Sequence, residues 1–235
     1  MLSICVCTHN QLVMTAESVE VLLKHADEEG ELILYDDCSI DGTAAYFEAE
    51  TERLNKLGPV KLKFIKGEVP HYTGSFGKAL TYADPSSDLY ITMDSDVVYV
   101  PPRWTSWIRG KFDALPEMGV MVLIDVGYYR CFQWLFGMKE WDDPLDINAL
   151  DPIEKGGKGG YGHGAFMACR ARDYRLVGGM PSTPGWALHD CELQIKINRG
   201  MGKKVYVFKE LPMIHLSAAG RRIFYGYEDK IEVGH

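Results

Sequence analysis

Four apolar runs of strand length, LSICVCT, ELILYDD, VKLKFIK and DLYITMD, alternate with helical patterns over residues 1–100, and no other feature constrains the fold as strongly. In TAESVEVLLKHADEEG, Ala16, Val19, Leu22, Leu23 and Ala26 recur at helical spacing, with Thr15 as the expected cap and Gly30 as the stop. SIDGTAAYFEAETERLNKL reads as a second helix, capped by Asp41 or Thr43, and GSFGKALTYA as a short third one. Strands alternating with helices of this length predict an α/β fold, a mostly parallel sheet with helices on both faces. Further along, RWTSWIRGKFDAL, RARDYRLVGGM and HDCELQIKINRG read as helices, and GVMVLID and KKVYVF as strands. No repeat and no linker divides the 235 residues, so a single domain over 1–235 is expected.

Ligands of parallel sheets bind beyond the carboxyl ends of the strands. That rule sets Thr8, Asp36, Asp37, Asp94 and Asp96 along one rim. In DLYITMDSDVVYVPPRW, Asp94 and Asp96 close a run that otherwise suits a buried strand. Bare carboxylates there are costly unless something positive meets them. Two carboxylates at i and i+2 can reach one small volume where the chain turns, and a hard cation with phosphate oxygens is its usual occupant. Taken alone, an Asp-Ser-Asp triplet also reads as a solvated turn.

The formal net charge of -8 argues against a protein that coats nucleic acid or spreads on anionic lipid. The longest apolar runs are strand-sized, so no transmembrane segment is expected. MLSICVCTHN has neither a basic leader nor a cleavage site, which makes the cytoplasm the expected location. The six cysteines form no CxxC pair, so they are expected as free, mostly buried thiols rather than zinc ligands. Residues 127–164 read as a long irregular segment holding Tyr128, Tyr129, Phe132, Trp134, Phe136 and Trp141 and the glycine-rich EKGGKGGYGHG. Its aromatics suit either sugar stacking or a small subdomain core, and its glycines suit a lid without Walker spacing.

Taken in order, these stretches resemble the family 2 glycosyltransferases of the GT-A (Rossmann-like) fold, from Leu2 to about Arg222. SICVCTHN is similar to that family's opening strand, and ELILYDDCSIDGT to its aspartate-pair motif. YITMDSDVVYVPPRW resembles its DxD strand, and GHGAFMACRARDYRLVGGM its acceptor-side strand and helix. GWALHDCELQIKINRGMGKKVYV is similar to the segment with the catalytic aspartate, and MIHLSAAGRR to the late histidine segment.

The resemblance implies a nucleotide-sugar-binding half over 1–100 and a smaller acceptor-side, catalytic half over 101–235. Asp37, or its neighbour Asp36, is then expected to accept a hydrogen bond from the nucleobase, with Thr8 beside it. Asp94 would contact the ribose, Ser95 would join the donor-binding set, Lys78 could reach a phosphate, and Asp96 with His215 would ligate a divalent cation. Oxygen and imidazole ligation favours Mn2+ over Mg2+. Asp190 is the expected general base for an acceptor hydroxyl, with Glu192 as the fallback; capping of the helix that follows is the competing role for Asp190. His189-Asp190 stands where many relatives carry Glu-Asp, and Phe76-Gly77-Lys78 where they carry Arg-Asn.

The implied activity is an inverting transfer of a sugar from a nucleotide-diphosphate donor, a UDP-sugar first, to an acceptor hydroxyl. A retaining route needs a second carboxylate beneath the sugar, and no motif supplies one. The acceptor stays open among a saccharide, a small molecule and, against the net charge, a modified nucleic acid met by Lys155, Lys158, Arg170, Arg172, Arg175, Arg221 or Arg222. Two alternatives remain: a catalytically silent nucleotide-sugar-binding module, and a nucleotidyltransferase. The latter would carry a Gly- and Arg-rich loop after the first strand, which CTHNQLVMTAES lacks.

Overall fold

The computed structural model describes residues 1–70, 74–123, 165–180, 189–208, 211 and 213–216. The strands are β1 (Leu2–Thr8), β2 (Gly30–Asp36), β3 (Val60–Lys66), β4 (Leu89–Asp94), β5 (Val97–Tyr99), β6 (Met118–Leu123), β7 (Phe166–Arg170), β8 (Lys204–Phe208) and β9 (Ile214–His215). The helices are α1 (Leu12–His25), α2 (Thr43–Leu54), α3 (Ser75–Ala79), α4 (Trp104–Ala114), α5 (Ala171–Leu176) and α6 (His189–Met201), with a 3-10 turn over Leu80–Tyr82. Seven strands form one sheet in the order β3-β2-β1-β4-β7-β6-β8, drawing on both halves of the chain. All of them run parallel except β7, which is antiparallel to β4 and β6.

β1 is apolar nearly throughout because both of its faces are covered. Leu2, Ile4 and Val6 pack into one core with α1, α2 and α4, where Val19, Leu22, Phe47, Trp104 and Ile108 are fully buried. Cys5 joins the opposite core with Ile33, Tyr35, Ala79, Tyr174 and Leu193, which covers the second face. Each fully buried side chain of this size contributes about 1.5–3 kcal/mol. Trp104 is the largest of them, and its indole N–H donates to the Leu22 carbonyl at 3.2 Å, so its one polar atom is satisfied in the core. Arg103, just before it, sits in the left-handed region at φ 65°, held by its N–H on the His25 carbonyl at 2.8 Å.

Two expectations about α1 are corrected. Thr15 lies inside the helix, fully buried, with its hydroxyl 2.7 Å from that of Thr8, so it ties α1 to the end of β1 rather than capping the helix. Gly30 starts β2 instead of stopping α1. A Cβ there would lie 2.6 Å from the Leu2 carbonyl oxygen, so glycine is required by close strand packing. Asp41 does bridge helix starts, accepting from Leu12 N–H at 2.9 Å and from Thr43 N–H at 3.1 Å, although Gly42 occupies the cap position of α2.

Cys5 and Cys169 are buried free thiols, while Cys7 and Cys38 are half-buried. No described helix is long and apolar enough to cross a membrane. The 127–164 segment, Arg221 and Arg222 lie outside the described residues.

Candidate active site

The register of the sheet brings the acidic residues to one edge. Thr8 pairs with Asp36, Cys7 with Asp94, and Asp36 with Lys66, so β1, β2, β3 and β4 end level with one another. Alternation along the strands then separates the carboxylates. Asp36 continues the side of Leu32 and Leu34, while Asp37 lies on the side of Tyr35 and Cys7, where Asp94 also falls. Asp36 is fully buried, and its Oδ1 accepts from the Ser39 N–H at 3.2 Å while its Oδ2 finds no hydrogen-bond partner among the described residues. Its carbonyl accepts from both Cys38 N–H at 2.9 Å and Gly67 N–H at 2.8 Å, which turns the chain out of β2.

Beyond β4 the chain turns through Ser95 and Asp96, both buried, into β5. β5 pairs with β9, Val97 opposite His215, and Leu216 N–H donates to the Asp96 carbonyl at 3.0 Å. Backbone pairing thus carries buried His215 onto the aspartates. Its Nε2 lies 2.9 Å from Asp96 Oδ1 and 3.6 Å from Asp94 Oδ2. Among the described residues these three form the one group of His, Cys, Asp or Glu side chains whose ligand atoms all lie within 4.8 Å of one another.

Neighbouring acids register the field of these carboxylates. Burial, then Cys5, then the charges of Asp37 and Asp94 push the Cys7 thiol well above its usual value. Burial and Asp37 push Tyr35 up to about 12, and burial, Asp37 and Asp36 push up Cys38. The edge therefore carries a negative potential that a divalent cation would offset. The donor set fits one. Ligands at about 2.1 Å from one six-coordinate ion and adjacent to each other stand about 3 Å apart, and the Asp96–His215 separation is 2.9 Å.

The turn is also braced from α1. Ser95 donates to Gln11 Oε1 at 3.1 Å, and Ser18 donates to the Val97 carbonyl at 2.7 Å. Gln11 and Ser18 carry no chemistry that a sequence motif would mark, and only the packing of α1 on β5 reveals them.

The other candidates are placed as follows. Lys78 is half-buried in the last turn of α3, its ammonium 5.6 Å from the centroid of the Tyr82 ring, which in turn stacks on Tyr35. Asp190 lies within the first turn of α6 and is half-buried. α6 ends at Met201, β8 begins at Lys204, and the helix packs on β6 and β8. The helix therefore runs back along β8, which directs its N-terminal turn toward the carboxyl edge of the sheet. Glu192 is ion-paired with Lys196 at 2.8 Å, one turn along.

The family model described as Glycosyl transferase family 2 matches residues 3–176. No curated protein sequence matches the chain. Among solved structures, the mannosyltransferase PcManGT of Pyrobaculum calidifontis, in complex with GDP-Man and Mn2+, superposes with a TM-score of 0.66 at 19% identity. It is covered over 59% of its length by 94% of this chain. TarS 1–349 of S. aureus, in complex with UDP-GlcNAc, superposes with a TM-score of 0.61 at 16% identity, 90% of this chain covering 57% of it. The chain thus spans less than two thirds of either structure.

Proposed function

Because the chain belongs to glycosyl transferase family 2 and has the GT-A fold, we propose that it transfers a sugar from a nucleoside-diphosphate donor to an acceptor hydroxyl with inversion. The observation that carries this reading is the convergence of Asp94, Asp96 and His215 at the carboxyl edge, beside Asp37. Asp37 accepts a hydrogen bond from the nucleobase, which gives orientation as well as affinity. Asp94 meets the ribose, and Asp36, committed through Oδ1 to Ser39, holds the loop that presents Asp37.

Asp96 and His215 hold a divalent cation, and the imidazole in the donor set favours Mn2+ over Mg2+. PcManGT, similar in fold, was solved with Mn2+. When bound, such a cation neutralises charge on the departing diphosphate. Asp190 takes the proton from the acceptor hydroxyl as that oxygen attacks the anomeric carbon; the bond to the diphosphate oxygen breaks on the opposite face. The ion pair of Glu192 with Lys196 supports Asp190 over Glu192 for this role. Lys78, whose ammonium lies over the Tyr82 ring, is the basic residue proposed to meet a phosphate.

The structures similar in fold carry GDP-Man and UDP-GlcNAc, so both bases belong in the test, with a UDP-sugar as the first expectation. Calorimetric titration of UDP, GDP, CDP and TDP with Mn2+, repeated in EDTA, tests the reading. Tight binding of one nucleotide only with Mn2+ supports it, and no binding of any nucleotide overturns it.

A further inference from the structure

The two loops that leave β1 and β2 are cross-linked residue by residue. Asp37 N–H donates to the Thr8 carbonyl at 2.8 Å, and Asn10 N–H donates to Ser39 Oγ at 2.9 Å. Ile40 N–H donates to Asn10 Oδ1 at 2.7 Å, and Leu12 N–H to Asp41 Oδ2 at 2.9 Å. Between them stands His9, exposed at the rim, with Nδ1 2.7 Å from the Asp37 carbonyl and Nε2 2.8 Å from Asn10 Nδ2.

These partners define the state of the ring. A backbone carbonyl only accepts, so Nδ1 carries the hydrogen. The Asn10 amide cannot be turned over without orphaning the Ile40 N–H, so its Nδ2 faces His9 and Nε2 must accept. Both ring nitrogens of His9 are therefore committed, Nδ1 to the Asp37 carbonyl and Nε2 to the Asn10 amide. Both peptide atoms of Asp37 are in turn held by β1's exit, its N–H by Thr8 and its carbonyl by His9. Asn10, in the left-handed region at φ 52°, and Cys38, at φ 64°, sharpen the two turns that make this possible.

We infer that His9 is a positioning residue for Asp37 and thereby sets the selectivity of the donor site among nucleobases. This inference rests on the nucleotide-sugar reading of the site. One hydrogen bond to a base edge discriminates only if its acceptor cannot drift, and His9 removes that drift by fixing the backbone from which the Asp37 carboxylate projects. The ring nitrogens of His9 go to Asp37 and Asn10, residues outside the cluster of Asp94, Asp96 and His215.

The test compares wild type, His9→Ala and His9→Asn. Asparagine carries an N–H at the same distance from the backbone as Nδ1, so it can donate to the Asp37 carbonyl while alanine cannot. For each protein, Kd values for UDP, GDP and CDP are measured by calorimetry with saturating Mn2+, and Mn2+ affinity by electron paramagnetic resonance. His9→Ala should weaken the preferred nucleotide about fivefold to twentyfold, narrow its margin over the other two, and leave Mn2+ affinity within twofold. His9→Asn should restore most of the margin. If His9→Ala keeps the wild-type base preference, or if nucleotide and Mn2+ affinities fall together, the inference is overturned while the donor site stands. If wild type itself binds none of the nucleotides, the functional reading falls and the inference with it.

Discussion

Replacing Asp190 by asparagine separates two effects that its position combines. As a negative charge in the first turn of α6, Asp190 stabilises the helix N-terminus, an effect of about 0.3–1 kcal/mol. Losing it should lower Tm by about 1–4 °C in a chain of this size. As a general base, Asp190 would contribute about 10²–10⁴-fold to turnover. At about 1.36 kcal/mol per decade, that is roughly 2.7–5.4 kcal/mol of barrier. The catalytic effect exceeds the structural one several-fold, so Asp190→Asn should keep its fold and its donor affinity while losing turnover. Glu192→Gln is the control: it removes only an exposed i,i+4 ion pair with Lys196, worth about 0.3–0.5 kcal/mol, and should leave turnover unchanged. The assay is release of nucleoside diphosphate in the presence of an acceptor found by screening, with donor Kd from calorimetry. Turnover within about tenfold of wild type in Asp190→Asn, or its loss in Glu192→Gln, would refute the assignment.

Three further outcomes are expected. Burial raises the Asp27 carboxyl, but hydrogen bonds from the Ser106 and Thr105 hydroxyls, the Ser106 N–H and Arg103 outweigh it and hold the group at about 2. A folded-state value below the unfolded one stabilises above about pH 4 and fades toward pH 2. Asp27→Ala should therefore cost about 1 kcal/mol at pH 7 after solvent screening, with urea titrations converging on wild type between pH 4 and pH 2; a constant gap would contradict this. Asp173 is fully buried in α5 and ion-paired with half-buried Lys203 just before β8, so Asp173→Ala leaves that lysine without its partner. Because Lys203 keeps some contact with solvent, the loss should cost about 1–3 kcal/mol, and a denaturation midpoint close to wild type would refute that. A Cβ on Gly67 would lie 2.7 Å from the Asp36 carbonyl oxygen and 2.9 Å from the Tyr35 hydroxyl. Gly67→Ala should destabilise by about 1–3 kcal/mol and weaken nucleotide binding as the β2 exit shifts; unchanged affinity would detach that loop from the donor site.

The sequence made the acidic edge visible because parallel strands buried on both faces are apolar nearly throughout, so Asp36, Asp37, Asp94 and Asp96 stand out as the points where each run ends. Helix boundaries were less legible. Thr15 and Gly30 carry the residue types of a cap and a stop, yet tertiary contacts with Thr8 and Leu2 give both other roles. β5 and β9 are three and two residues long, too short for any periodicity, and they form only by pairing with each other. His215 was therefore reachable through family resemblance and not through pattern. The reversed direction of β7 leaves no mark in FMACR, whose composition suits either orientation. The bonds of His9, Asn10 and Gln11 across loops were invisible, since each joins residues 28 to 84 positions apart.

The central claim is that Asp96 and His215, beside Asp94, hold the cation that carries the donor's diphosphate, and Mn2+ electron paramagnetic resonance tests it most directly. Adding the protein with UDP or GDP to Mn2+ should quench the free-ion signal, more strongly together than with either alone. Asp96→Ala should abolish that quenching while its far-ultraviolet circular dichroism stays that of wild type. A free-ion signal unaffected by wild-type protein and nucleotide, or quenched equally by Asp96→Ala, would contradict the account.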